Sequence, residues 1–151
     1  MHTATTENTD FTFPMCMDIF YPTIEQGSLG NIKKHWIHDR TVACSLSTAG
    51  SAFKEEVTPN INIKQELIVL GRLKTDIRVS TRDSNNAITN IVVSNVKDRS
   101  GNSVYNETAG PRAGKSTIFE VATMEPFVGP FGSIEYYKIV LRRSENQAAD
   151  V

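Results

Sequence analysis

The chain is poor in the features that announce a function. It has only two cysteines, Cys16 and Cys44, one tryptophan and three histidines in 151 residues. The cysteines could pair, but two in a chain of this length make no disulfide framework. The expected state is a pair of buried free thiols, because cysteine packs readily as a small apolar residue. No run approaches the ~20 apolar residues that a membrane-crossing helix needs. The opening MHTATTENTD has neither a basic segment nor an apolar one, so it does not read as a secretory signal. The expectation is a protein made and used in the cytoplasm, or carried out of it inside something larger. There is no long amphipathic helix and no internal repeat.

Charge excludes little by its total and more by its placement. A net charge of −1 with 39% hydrophobic and 22% charged residues fits neither a disordered tail nor a generally basic nucleic-acid binder. Residues 1–32 hold four acids (Glu7, Asp10, Asp18, Glu25) and no lysine or arginine. Residues 71–115 hold eight basic residues against four acids. That excess can gather on one face, although charges scattered over exposed strand faces are the plainer reading.

What is present is alternation broken by turns. Residues 1–14 are polar and aperiodic, a flexible arm. A strand runs from Met15 to Tyr21 and stops at Pro22. EQGSLGN (25–31) is turn sequence with glycines at 27 and 30, and IKKHWIHDRTVACSL (32–46) is a long strand. Its even positions put Ile32, Trp36, Val42, Cys44 and Leu46 on one face, interrupted near His38 and Arg40, which suggests a bulge. Residues 47–65 lose the pattern and read as a loop with room for one short helical turn at 52–57. Leu73, Thr75, Ile77 and Val79 alternate with charged or polar neighbours, predicting a strand over 73–80. Strands are also expected at 88–96, 103–107, 117–123 and 134–144, where Tyr137, Ile139 and Leu141 share a face. TRDSNNA (81–87), DRSGN (98–102) and EPFVGPFGS (125–133) are turns or corners. The tail 146–151 is polar. The fold class is all-β: one small barrel or sandwich domain over 15–145, with long loops, flexible arms and at most one short helix.

The segment GPRAGKST (110–117) approaches a phosphate-binding loop and misses it. The pattern needs a glycine at 109, where Ala109 stands, and Pro111 removes a backbone donor. The residues that follow, Thr117 to Val121, are β-branched and aromatic, a poor start for the helix such a loop requires. A strand-joining loop carrying Arg112 and Lys115 is the plain expectation. These two charges are the candidate contacts for DNA or an acidic partner. His35, His38 and Asp39 resemble part of a metal site, but positions 35 and 38 fall on opposite strand faces, and no further ligands of suitable spacing follow. No metal, no cofactor and no catalytic Ser-His-Asp or Cys-His set is expected. Glu55 and Glu56 read as solvated acids in a polar loop. Phe127 and Phe131 flank the Gly-Pro corner, where exposed aromatics can anchor an oligomer, although packing over a barrel end is commoner.

MDIFYPTIEQGSLGNIKKHWIHDRTVACSL (17–46), with its glycine-bearing turn and its Lys-Lys-x-Trp entry to a long strand, resembles the opening of tailed-phage head–tail connectors of the stopper, or head-closure, type. ATMEPFVGPFGSIEYYKIVLRRSE (122–145) is similar to the closing strands of that barrel. TDIRVSTRDSNNAITNIVVSN is also similar to phage virion sequence. The resemblance covers most of residues 15–145, with extra length over 98–133.

It implies a non-enzymatic virion protein of the neck, made in the host cytoplasm. Such a protein forms a ring, six- or twelve-fold, below the portal or adaptor. That ring closes the DNA-filled head and meets a tail terminator or tube, with packaged DNA passing transiently and no membrane involved. It also implies that the loop carrying Lys54, Glu55 and Glu56 projects into the channel. Another tail, baseplate or capsid-decorating β-protein is the alternative, and a nucleotide- or nucleic-acid-binding protein using the 110–115 loop is a third reading.

Overall fold

The computed structural model describes residues 5–26, 30, 32–48, 67–78, 91–149 and 151. The expected helical turn at 52–57, and the channel-loop residues Lys54, Glu55 and Glu56, lie outside the described residues. Seven strands follow in chain order: β1 (Thr5–Thr6), β2 (Met15–Gln26), β3 (Ile32–Thr48), β4 (Ile68–Leu73), β5 (Val92–Lys97), β6 (Phe119–Val128) and β7 (Ile134–Arg143). No helix occurs among the described residues.

The strands β3-β2-β5-β6-β7-β4 are joined in that order by antiparallel ladders, and β4 pairs back onto β3. The sheet therefore closes into a six-stranded barrel, as the alternation and the absence of helical periodicity imply. Closure pairs every barrel strand on two sides and removes the free edges of an open sheet. The short β1 adds to β3 in parallel at Arg40 and Thr41.

The core follows from period-two patterning. Met17 and Ile19 of β2, Val42 and Cys44 of β3, Val69 and Leu73 of β4, Phe119 of β6, and Ile139 and Leu141 of β7 pack in one cluster. On β5 the inward residues are Val93 and Val96, an odd spacing. A bulge explains it: the β2 register steps from Cys16↔Lys97 to Asp18↔Ser94, and Asn95 takes φ 54°. Asparagine adopts that left-handed backbone more readily than most residues, and its Nδ2 donates to Asp18 Oδ2 at 2.8 Å. Each fully buried large side chain in this set contributes roughly 1.5–3 kcal/mol.

A second bulge lies in β3. Ile19 pairs with Arg40 while Phe20 pairs with His38, leaving Asp39 as the extra residue. The expected interruption is real, but it inverts the parity of the residues before it. Trp36 therefore leaves the face of Val42 and Cys44, and packs outside the barrel with Phe20, Val92 and Ile118. Other boundaries also move. β2 continues through Pro22 to Gln26, because its described pairing with β5 ends at Phe20; a proline is tolerated where a strand has a partner on one side only. Pro126 likewise sits inside β6 rather than at a corner. β4 ends at Leu73, so the alternation over 73–78 belongs to a bent segment that still buries Ile77. Residues 103–107 form isolated bridges, not a strand.

The terminal segments are attached to the barrel. Glu7 N donates to Thr41 O, and the Glu7 carboxylate accepts from Ala43 N at 3.0 Å and from the Thr75 hydroxyl. At the other end Ser144 and Gln147 are buried, and Ala149 and Val151 pack on the outer cluster. Residues 5–13 and 144–149 are thus tied down by side chains that act as strand partners.

Candidate docking surface

The β6–β7 hairpin extends beyond its neighbours. β6 pairs with β5 only at Phe119 and Glu120, whereas its ladder with β7 runs on to Val128↔Ile134. Gly129 N donates to Ser133 O at 2.8 Å and Gly132 N to Gly129 O at 3.1 Å, closing a compact turn. Gly132 sits at φ 78°, where a side chain would be strained. Pro130, with its preset φ, precedes Phe131 in this turn. Phe131 is thereby held at the apex with 94% of its surface exposed, beside the exposed Val128 and Ile134.

Alternation divides the hairpin into two faces. Ile139 and Leu141 point inward, and Tyr137 and Met124 pack against the same core. The outward rows are Glu120/Arg142, Thr123/Val140, Glu125/Lys138 and Phe127/Tyr136, each a directly opposed pair. The Phe127 and Tyr136 rings stack with centroids 4.6 Å apart and planes 9° apart. Lys138 Nζ lies 5.1 Å from the Phe127 centroid, and the Arg72 guanidinium of β4 lies 5.2 Å from that of Tyr136. Such contacts fix long cationic side chains over apolar rings and lower the entropy lost on docking. Glu120 and Arg142 form an ion pair at 3.3 Å.

Of the six exposed large apolar residues among those described, three lie at this apex. Besides Val128, Phe131 and Ile134, Leu70 is exposed on the outer face of β4, two residues from Arg72. Phe11, 93% exposed, stands next to Asp10, which pairs with Lys74 at 3.8 Å. Asp10 Oδ1 also accepts from the backbone N–H groups of Thr12 and Phe13, so this turn holds Phe13 in and Phe11 out. The aromatics and Arg72 of this sheet face are residue types enriched in protein interfaces.

The residues singled out in sequence fare differently. Arg112 is not presented at a loop tip: it is buried, with Nε donating to Ser116 O at 2.8 Å and a terminal nitrogen to Val151 O at 3.3 Å. Its burial and these two bonds turn the guanidinium into the fold, so the expectation of an available charge is corrected. Lys115 is exposed. The N–H groups of Ala113, Gly114 and Lys115 bind carbonyls of Gly110, Glu107 and Arg112, all within the loop. Glu107 in turn pairs with Arg143 at 2.6 Å, fixing this loop to β7.

His38 meets Asp18 and Thr41, but not as a catalytic relay. Its Nε2 lies 3.3 Å from Asp18 Oδ1 and 3.5 Å from the Thr41 hydroxyl, which itself donates to Asp18 Oδ1 at 2.6 Å. A relay needs acid and nucleophile on opposite ring nitrogens; here both share one. With Asn95 also on Asp18, the group braces β2, β3 and β5. His35 and His38 keep the opposite faces that their spacing predicts, since no bulge separates them. Among the described residues no group of three or more His, Cys, Asp or Glu is placed to hold a metal ion.

Both thiols are free. Cys44 is buried and its pKa is pushed up to about 12, chiefly by desolvation; Cys16 is half-buried and raised in the same direction for the same leading reason. Burial and raised pKa make both poor nucleophiles. No helix of the described residues is long and apolar enough to cross a membrane.

No family model matches the chain, and no curated protein and no solved structure matches it.

Proposed function

We propose that the chain is a structural subunit of a tailed-phage neck, forming a ring below the portal or adaptor that closes the DNA-filled head and joins it to the tail. The observation that carries a structural role is the outer face of the β6–β7 ribbon, where the exposed Val128, Phe131 and Ile134 and the Phe127–Tyr136 stack lie together. Its aromatic composition suits a protein-docking anchor. A closed barrel supports this role because it supplies a stiff block on which such a face keeps its shape. The placement in a neck rests on the resemblance of residues 17–46 and 122–145 to head-closure connectors, and extends to a virion location and a non-catalytic role.

Of the two charges read from the 110–117 loop, Lys115 stays available to DNA or an acidic neighbour, while Arg112 acts within the fold. The test is binding of the full chain to the portal–adaptor complex of its own phage, wild type against Phe131→Ser. Wild-type binding that the substitution weakens at least tenfold supports the reading. No binding by the wild type sinks it.

A further inference from the structure

The ribbon's outer face has a property beyond exposure: it is complementary to itself. Its opposed rows pair unlike partners, Glu120 with Arg142, Glu125 with Lys138, Phe127 with Tyr136. A two-fold axis running between two antiparallel strands, and parallel to them, exchanges the members of each row. Two such faces brought together would set Lys138 over Glu125 of the second copy, and Phe127 over Tyr136. We propose that this face is a contact between two copies of the chain, related by a two-fold axis along the ribbon. The proposal rests on reading the ribbon as a protein-docking face, and not on the neck assignment.

Charge separates this occupant from others. Among the described residues Lys138 and Arg72 make no ion pair with a carboxylate, nor do Glu125 and Glu135 with a cation. A nucleic acid would call for an excess of cations to neutralise phosphates, whereas these four residues offer both signs in equal number. An isologous contact satisfies both signs at once for the Lys138–Glu125 pair, which occurs twice across the dimer. The apolar apex adds Val128, Phe131 and Ile134 from each copy, at the same end of the axis.

Area sets the strength. The two strands that the axis exchanges, β6 and β7, each ten residues long, at about 4.8 Å spacing and about 3.4 Å per residue outline roughly 330 Å² per copy. The total of roughly 650 Å² is below that of a stable specific interface, so the contact is weak and reversible.

Sedimentation velocity of the full chain, up to about 500 µM to suit a small interface, tests this with two charge reversals, Lys138→Glu and Glu125→Lys. Each alone sets like charges in contact and should raise the dimer dissociation constant at least tenfold. An equimolar mixture of the two variants should recover dimers. Only in the mixed pair does the reversed charge at position 138 of one copy face the reversed charge at position 125 of the other. That recovery also shows both variants to be folded. A wild type that stays monomeric, or dimers indifferent to either reversal, overturns the proposal. Tight binding of a labelled thirty-nucleotide single strand that Lys138→Glu abolishes would also overturn it, by assigning the face to nucleic acid. If self-association is absent while Phe131→Ser still weakens binding to the portal–adaptor complex, the second copy is excluded and the docking face stands.

Discussion

The Gln147 side chain lies against Ile118 as a neighbouring strand would: its Oε1 accepts from Ile118 N at 3.0 Å and its Nε2 donates to Ile118 O at 2.9 Å. A third bond reaches Ser144 O at 2.7 Å, and all three are buried. One amide thus satisfies both backbone groups of a residue that leads into β6, and it positions the tail that covers Phe20 and Val92.

Gln147→Ala would leave the Ile118 N–H buried without its acceptor, whereas the Ile118 C=O keeps the bond it accepts from Ser144 N at 2.9 Å. A buried unsatisfied group costs about 1–3 kcal/mol, and that is the expected loss. Urea unfolding should show a lower midpoint. Gln147→Glu keeps the acceptor but turns a carboxylate oxygen toward the carbonyls of Ile118 and Ser144, and at neutral pH should be destabilised at least as much as the alanine variant.

Gly71 marks the place where the barrel closes. A Cβ there would meet Leu46 Cδ2 at 2.3 Å and Ser45 O at 2.5 Å, the second of which is backbone and cannot swing aside. Gly71→Ala should cost about 1–3 kcal/mol through overpacking. For a chain of this size that lowers the melting temperature by about 2–12 °C, read by circular dichroism. Gly30→Ala, with open space around its Cβ, meets only the backbone penalty of its φ 79°.

Thiol chemistry should distinguish the two cysteines by folding state. With its pKa at about 12 and its side chain in the core, Cys44 stays protonated and inaccessible at neutral pH. Iodoacetamide at about pH 8, close to the ordinary thiol pKa, should modify Cys16 slowly and Cys44 only after denaturation, as counted by intact-mass spectrometry. Rapid native alkylation of Cys44 would contradict its placement.

Asp76 gives the acid limb of stability. Hydrogen bonds from the Arg78 side chain, foremost, hold its carboxyl below the usual value. A carboxyl depressed in the folded state adds stability above its unfolded pKa, and that stability is lost as pH falls through the folded value. Asp76→Asn should therefore lower the melting temperature at neutral pH, and the difference from wild type should shrink below about pH 4. Much of Asp76 is solvent-accessible, so the effect is small.

Much of the barrel could be read from the chain because period-two alternation is a local signal. Tyr137, Ile139 and Leu141 turn inward as their spacing predicts. The misplaced elements fail where a non-local partner overrides the pattern. A single extra residue at Asp39 sends Trp36 to the other face. Leu73 to Ile77 alternates like a strand, but no partner extends β4 past Leu73. Arg112 read as a free charge because nothing in sequence shows that Ser116 O and Val151 O would meet it. The docking face was half legible: Phe127 and Phe131 were visible as aromatics flanking a turn. Their alignment with Arg72 and Lys138 depends on the β4–β7 and β6–β7 registers, which no local pattern encodes.

The most direct measurement is an electron cryomicroscopy map of the assembled particle, at a resolution where strands are traced. The account predicts this barrel in a ring immediately beneath the portal or adaptor, with Phe131 and the Phe127–Tyr136 face buried against protein. A barrel found on the capsid surface or baseplate, or a ribbon face left in solvent, would contradict it.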